Sequence, residues 1–125
     1  MASLFVICGE KVEYYPLGER TTVVGRDEAV PIQVLDRRAS RKHLQVRYDK
    51  QRKSFIALDM RSRNGTFING QRIQDETILS DGDQIQVGDT MILFTVKDFP
   101  KRENAMNHFK QAGQRRFTTH VDPPL

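Results

Sequence analysis

Residues 43–48 read His43-Leu44-Gln45-Val46-Arg47-Tyr48, with Leu44, Val46 and Tyr48 on one side of an extended chain and Gln45 and Arg47 on the other. A strand that alternates in this way buries one face and wets the other, as in a sandwich of antiparallel sheets. Outward from this run, the sequence through residue 97 is a series of short β-branched and aromatic stretches broken by Gly, Asp, Asn and Pro, without sustained helical periodicity. The expected strands are Ser3–Cys8, Lys11–Tyr15, Arg20–Gly25, Ile32–Leu35, His43–Tyr48, Phe55–Asp59, Thr66–Ile68, Gln84–Val87 and Met91–Lys97. Between the first two, Gly9-Glu10 has the form of a two-residue type II′ hairpin turn, with glycine supplying the positive φ. Many short strands at close spacing favour an all-β, two-sheet sandwich over an α/β fold.

After Lys97 the composition changes. Ala105, Met106, Phe109 and Ala112 stand at near-helical spacing, with Pro100 before them and Gly113 after, so a short helix is expected over 98–113. A helix this short must dock on the sandwich to persist. Residues 114–125, with two arginines, two threonines and Pro123-Pro124, read as an exposed, disordered end. The expected organisation is a β domain over 1–97, the helix over 98–113 and a flexible tail over 114–125.

At 125 residues with 38% hydrophobic and 29% charged, the chain suits one globular domain with a modest core. No apolar run approaches the roughly 18 residues that cross a bilayer, and the apolar opening through Cys8 is too short and uncharged for a signal peptide. The chain therefore reads as a soluble intracellular protein, cytoplasmic or, in a eukaryote, nuclear. Cys8, the single cysteine, reads as a small buried hydrophobe; an internal disulfide or a cysteine-built zinc site is excluded. The net charge of +4 sits mostly at the end: residues 1–96 hold 14 Lys/Arg against 13 Asp/Glu, residues 97–125 hold 6 against 3. Global basicity is thus no argument for a nucleic-acid partner.

Three segments at strand ends carry chemistry: Gly25-Arg26; Ser40-Arg41-Lys42-His43; and Asp59-Met60-Arg61-Ser62-Arg63-Asn64-Gly65-Thr66-Phe67-Ile68-Asn69-Gly70. Together they hold guanidinium forks, hydroxyls and amide donors, which a phosphate group requires at one point. Loops on a rigid sheet framework can bring such groups together without consuming them in the core.

The order Gly-Arg, then Ser-Arg-x-His, then Ser-x-Asn-Gly-Thr-Phe-Ile-Asn-Gly resembles the signature of the forkhead-associated (FHA) family. The likeness runs on through Leu79-Ser80-Asp81-Gly82-Asp83-Gln84-Ile85-Gln86-Val87-Gly88 to Leu93-Phe94 and covers about residues 4–97. It implies a two-sheet sandwich of about eleven strands with the ligand held by loops at one end. It also implies a non-catalytic module that binds phosphothreonine-containing proteins or peptides, an adaptor or regulator in Ser/Thr kinase signalling, with no cofactor and no metal. Carried over to this sequence, Arg26 reaches the phosphate, Ser40 donates its hydroxyl, Arg41 adds a second cation and Asn64 holds the ligand backbone. Arg63 either touches the phosphate or the ligand beyond it, or is a solvated surface arginine; Ser62 is a turn residue or an auxiliary phosphate donor. Gly25, His43, Gly65, Thr66, Asn69 and Gly70 are the structural support of the site, with Asn69-Gly70 as a tight turn. Two positions depart from the family pattern: Val30-Pro31 stand where a polar pair is common, and Ala39 replaces a larger aliphatic. Both bear on the shape of the loop between Arg26 and Ser40.

Other classes fit less well. Ser40, His43 and Asp59 contain the letters of a hydrolase triad, but no nucleophile-elbow glycine pattern surrounds Ser40, and the family uses this histidine as a brace. A nucleic-acid-binding or assembly role for the basic end is weakened by Glu103 beside Lys101-Arg102 and by the lack of an aromatic series for base stacking. In the tail, Arg115-Arg116-Phe117-Thr118-Thr119 resembles a basophilic kinase target, making Thr118 and Thr119 candidate phosphorylation sites and the phosphorylated tail a candidate ligand for its own domain.

Overall fold

The computed structural model describes residues 2–97. The expected helix over 98–113, the tail over 114–125, and with it Thr118 and Thr119, lie outside the described residues.

Eleven strands form two sheets: β1 (Ala2–Cys8), β2 (Lys11–Leu17), β3 (Thr22–Gly25), β4 (Ile32–Gln33), β5 (Leu44–Asp49), β6 (Ser54–Asp59), β7 (Thr66–Ile68), β8 (Gln71–Arg72), β9 (Thr77–Ile78), β10 (Gln84–Val87) and β11 (Thr90–Thr95). One sheet has the order β2-β1-β11-β10-β7-β8, the other β4-β3-β5-β6-β9. All pairings are antiparallel except β3 with β4. The expected strands are recovered with shifted ends. Arg20–Gly25 begins only at Thr22, and Ile32–Leu35 stops at Gln33, after which the chain turns outward and leaves Leu35 85% exposed. The strand expected over Met91–Lys97 runs instead from Thr90 to Thr95.

The core lies between the sheets. Leu4, Val6, Ile68, Ile85, Val87, Ile92 and Phe94 from the first sheet meet Val24, Leu44, Val46, Phe55 and Ala57 from the second. Phe55 and Phe94 join the layers at 5.7 Å between ring centroids, in the tilted arrangement aromatic pairs prefer. Leu44 and Val46 are fully buried, as the alternation of β5 requires. Cys8, expected to be buried, is half-buried at the rim of the core, its Sγ 3.5 Å from Thr90 Oγ1.

Tight turns fix the strand pairs. Cys8 pairs with Lys11 across Gly9-Glu10, and Gly9 has φ 61° while Glu10 stays at negative φ, the pattern of a type II′ turn. Ile68 pairs with Gln71 across Asn69-Gly70, both at positive φ (51° and 85°), the pattern of type I′. The Asn69 side chain also binds Asp83 Oδ1 at 2.9 Å and accepts the N–H of Gln84 at 3.0 Å, tying this hairpin to the start of β10.

Candidate functional site

The three segments singled out in the sequence leave the sheets at one end of the sandwich, because β3 ends, β5 begins and β6 ends in mutual register: Val24 lies opposite Leu44, and Leu44 opposite Asp59. They are the β3–β4 loop (26–31), the β4–β5 loop (34–43) and the β6–β7 loop (60–65). Gly25 lets the first two approach. A Cβ at this position would stand 2.0 Å from the carbonyl oxygen of Arg41, so only glycine admits that packing.

Ser40 is where the three loops are fastened together. Its carbonyl accepts the N–H of Arg26 at 2.9 Å, its hydroxyl oxygen accepts the N–H of Arg63 at 2.9 Å, and its own N–H is donated to Nδ1 of His43 at 3.0 Å. A backbone N–H can only donate, so Nδ1 of His43 is an acceptor and the ring proton sits on Nε2, which donates to the carbonyl of Gly65 at 2.8 Å. His43 is completely buried, and both ring nitrogens are used in joining the second loop to the third.

The third loop is shaped by Asp59. Its carboxylate accepts the N–H of Ser62 at 3.0 Å, the hydroxyl of Ser62, and the hydroxyl of Thr66 at 2.7 Å. Ser62 Oγ in turn accepts the N–H of Gly65 at 2.9 Å. Burial alone would raise the pKa of Asp59, but the hydrogen bonds from Ser62 and Thr66 outweigh it and hold the carboxyl below its ordinary value. The Ser62 hydroxyl thus donates to Asp59 and accepts from Gly65, so this buried serine holds the turn in this structure. Asp59 itself was passed over in the sequence except as a triad letter. The signal was its spacing to Ser62, a carboxylate three residues before a serine at a strand exit, which caps a turn.

Around this braced centre, several groups point to solvent with capacity to spare. Arg26 is exposed and spends only Nε, on the carbonyl of Ala39 at 3.0 Å. The exposed side chains of Arg41 and Arg63 make no hydrogen bond or ion pair among the described residues, and the Ser40 hydroxyl proton has no acceptor there. Asn64 donates from Nδ2 to the carbonyl of Arg38 at 2.8 Å, which leaves its other N–H and its oxygen unengaged among the described residues. The three loops carry seven basic residues (Arg26, Arg37, Arg38, Arg41, Lys42, Arg61, Arg63) against three acidic ones (Asp27, Glu28, Asp36), a local excess of four positive charges. Residues 1–96 as a whole carry an excess of only one, so the positive field is focused at this end.

Beside the cluster lies an open groove of about 780 Å³ between Leu35–Arg38, Gly9 and Asp89. Asp36 forms its floor. Its carboxylate accepts the N–H groups of Arg38 (2.9 Å) and Asp89 (2.7 Å) and the hydroxyl of Thr90 (2.8 Å), locking the β4–β5 loop to the β10–β11 turn. Burial raises the Asp36 pKa, but these bonds lower it further, to a net value below the ordinary one. The sequence reading missed this tie because its partners lie more than fifty positions away.

The arrangement is one for holding an anion. Ser40, His43 and Asp59 are not linked as nucleophile, base and acid: His43 meets the amide rather than the hydroxyl of Ser40, and Asp59 bonds Ser62 and Thr66. Among the described residues no His/Cys/Asp/Glu group is placed to hold a metal, and no helix is long and apolar enough to cross a membrane. A family model described as FHA domain matches residues 22–88, more than half of the chain and all three loops. The chain belongs to the FHA domain family. FHA domains are binding modules that read phosphorylated motifs with arginine clusters. Over 81 residues the chain is 37% identical to the FHA domain-containing protein FhaA of Mycobacterium tuberculosis, a match covering 63% of this chain and 14% of that protein. The chain thus spans about one-seventh of the length of that relative. An FHA structure solved in a study of phosphothreonine-dependent FHA domain interactions superposes with a TM-score of 0.69 at 30% identity, covering 78% of this chain and 98% of the other. The FhaA FHA domain, solved in complex with the intracellular domain of Rv3910, gives a TM-score of 0.67 at 31% identity, covering 75% of this chain and 99% of that one.

Proposed function

We propose that this FHA domain binds phosphothreonine-containing segments of partner proteins through Arg26, Ser40, Arg41, Arg63 and Asn64, and acts without catalysis as an adaptor or regulator in Ser/Thr kinase signalling. The observation that carries this reading is the convergence, on one hydrogen-bonded centre at Ser40, of spare guanidinium donors and a hydroxyl proton that has no acceptor among the described residues. A phosphate brings about −1.5 to −2 charges and three acceptor oxygens, which match that donor set better than a single carboxylate would. The unused amide of Asn64 suits the ligand backbone beside the phosphate, and the Asp36-floored groove suits the flanking residues. Phosphothreonine dependence in the structural relative supports the choice of phosphoamino acid.

The setting is cytoplasmic, or nuclear in a eukaryote, where kinases and their substrates meet. The protein's own tail, phosphorylated at Thr118 or Thr119, is one candidate ligand, since tethering raises its local concentration to roughly the millimolar range. Screening an oriented phosphothreonine peptide library against its dephosphorylated copy tests the reading: enrichment only from the phosphorylated library supports it, and equal enrichment from both overturns it.

A further inference from the structure

Among the described residues, three other than glycine have φ in the left-handed region: Lys53 (52°), Arg61 (56°) and Asn69 (51°). Lys53 and Asn69 stand in the turns of the hairpins β5–β6 and β7–β8, where a tight reversal of the chain takes up a residue at positive φ. Arg61 lies in no hairpin. It stands in the β6–β7 loop, which crosses from one sheet to the other. Its surroundings are pinned: the Met60 N–H donates to the carbonyl of His43 at 2.9 Å, the Ser62 N–H to Asp59 at 3.0 Å, and the Arg63 N–H to the hydroxyl of Ser40 at 2.9 Å. The loop therefore holds Arg61 in a conformation that strains any residue with a Cβ and that glycine adopts freely.

The strained position carries an exposed guanidinium that makes no hydrogen bond or ion pair among the described residues. At most about 7 Å separates its Cα from that of Arg63, whose N–H meets Ser40, and an extended ligand covers that distance in about two residues. The charge balance points the same way. The three loops carry an excess of four positive charges; a phosphothreonine neutralises about 1.5–2 of them, and Asp89, 4.0 Å from Arg38, one more. About one positive charge is left at this end for a further anion. We propose that Arg61 contacts the ligand and selects partners with a second anionic group, a carboxylate or another phosphate, about two residues from the phosphothreonine. This rests on phosphothreonine binding at Ser40. The guanidinium fork suits either anion, and backbone strain retained inside a binding loop is stability given up for contact.

The test is made on the full 125-residue chain with phosphothreonine peptides of one sequence, carrying asparagine, aspartate or phosphoserine at the second residue before or after the phosphothreonine. On one side, aspartate or phosphoserine is expected to bind about three- to tenfold more tightly than asparagine, through faster association that slows with added salt. The larger gain of the two tells carboxylate from second phosphate. In Arg61→Gly the gain is expected to vanish, with affinity for the asparagine peptide changed less than about twofold and a melting temperature at or above that of the parent, because glycine relieves the positive φ. Equal binding of neutral and acidic peptides by the parent, or an acidic gain that survives in Arg61→Gly, overturns the role of Arg61 and leaves the phosphothreonine reading standing. A melting temperature lowered by more than about 5 °C in Arg61→Gly also overturns it, since the arginine would then be holding the fold. Failure of every phosphothreonine peptide to bind the parent overturns both.

Discussion

Nδ1 of His43 accepts the backbone N–H of Ser40 at 3.0 Å, and this bond fixes both the ring proton on Nε2 and the position of the serine on which three loops converge. Replacing His43 by Ala removes two hydrogen bonds and leaves the Ser40 N–H and the Gly65 carbonyl without partners at a fully buried site. The expected loss of stability is about 2–6 kcal/mol, at about 1–3 kcal/mol for each of the two orphaned groups, with weaker phosphopeptide binding in the fraction that remains folded. Denaturant unfolding checks it; a change within about 0.5 kcal/mol would mean that the histidine is no brace.

The two serines of the site separate binding from folding. Ser40→Ala removes a hydroxyl whose oxygen accepts the Arg63 N–H but whose proton has no acceptor among the described residues, and is expected to weaken phosphopeptide binding about tenfold with a smaller change in melting temperature than Ser62→Ala. Ser62→Ala breaks the Asp59–Ser62–Gly65 chain and is expected to cost about 1–3 kcal/mol of stability, with a smaller direct effect on affinity. Calorimetric titration paired with thermal melts of each variant distinguishes these outcomes; the reverse pattern would exchange their roles.

Asp36 and Asp59 are expected to make stability fall in acid. Both carboxyls are held below the ordinary aspartate value by hydrogen bonds that outweigh the cost of burial. A group whose folded pKa is lowered contributes stability that is complete above its unfolded value and is lost as the pH falls through the folded one. Melting temperature is therefore expected to fall below about pH 4, and less steeply in Asp36→Asn and Asp59→Asn, whose neutral amides no longer titrate. Melts from pH 7 to pH 2 measure this; parallel curves for all three proteins would show that neither carboxylate is linked to folding.

Gly25→Ala places a methyl group 2.0 Å from the carbonyl oxygen of Arg41, so the first two loops must part. The expected destabilisation is about 1–3 kcal/mol, the usual range for overpacking, with loss of phosphopeptide affinity because Arg26 moves with the loop. Denaturant titration and calorimetry together check it, and parent-like values in both would mean that the backbone yields freely there.

Much of this architecture was legible in the chain because its signals are local. The alternation of Leu44, Val46 and Tyr48 identified β5, and Gly9-Glu10 and Asn69-Gly70 announced their turns by residues that tolerate positive φ. β8 and β9 were not legible from pattern: Gln71–Arg72 and Thr77–Ile78 are two residues each and mostly exposed, too short to show any period. Arg26, Ser40 and Asn64 stood out by their order along the chain, but Ser40 as the junction of three loops, the choice of Ser62 between turn and ligand, and the Asp36 tie to Asp89 and Thr90 depend on partners brought together by folding. Leu35 misled for a related reason: its aliphatic side chain suits a strand, yet the chain has already turned out of β4 to begin the binding loop.

The central claim rests most directly on Arg26. Titration calorimetry of a phosphothreonine peptide selected from the library, its unphosphorylated form and its phosphoserine analogue should be run against the parent protein and Arg26→Ala. The expected result is binding of the phosphothreonine form above all, reduced about 10- to 150-fold in Arg26→Ala, corresponding to about 1.5–3 kcal/mol for a charge-assisted hydrogen bond, with an unchanged melting temperature. Equal affinity for phosphorylated and unphosphorylated peptide, or undiminished affinity in a folded Arg26→Ala protein, would contradict the account.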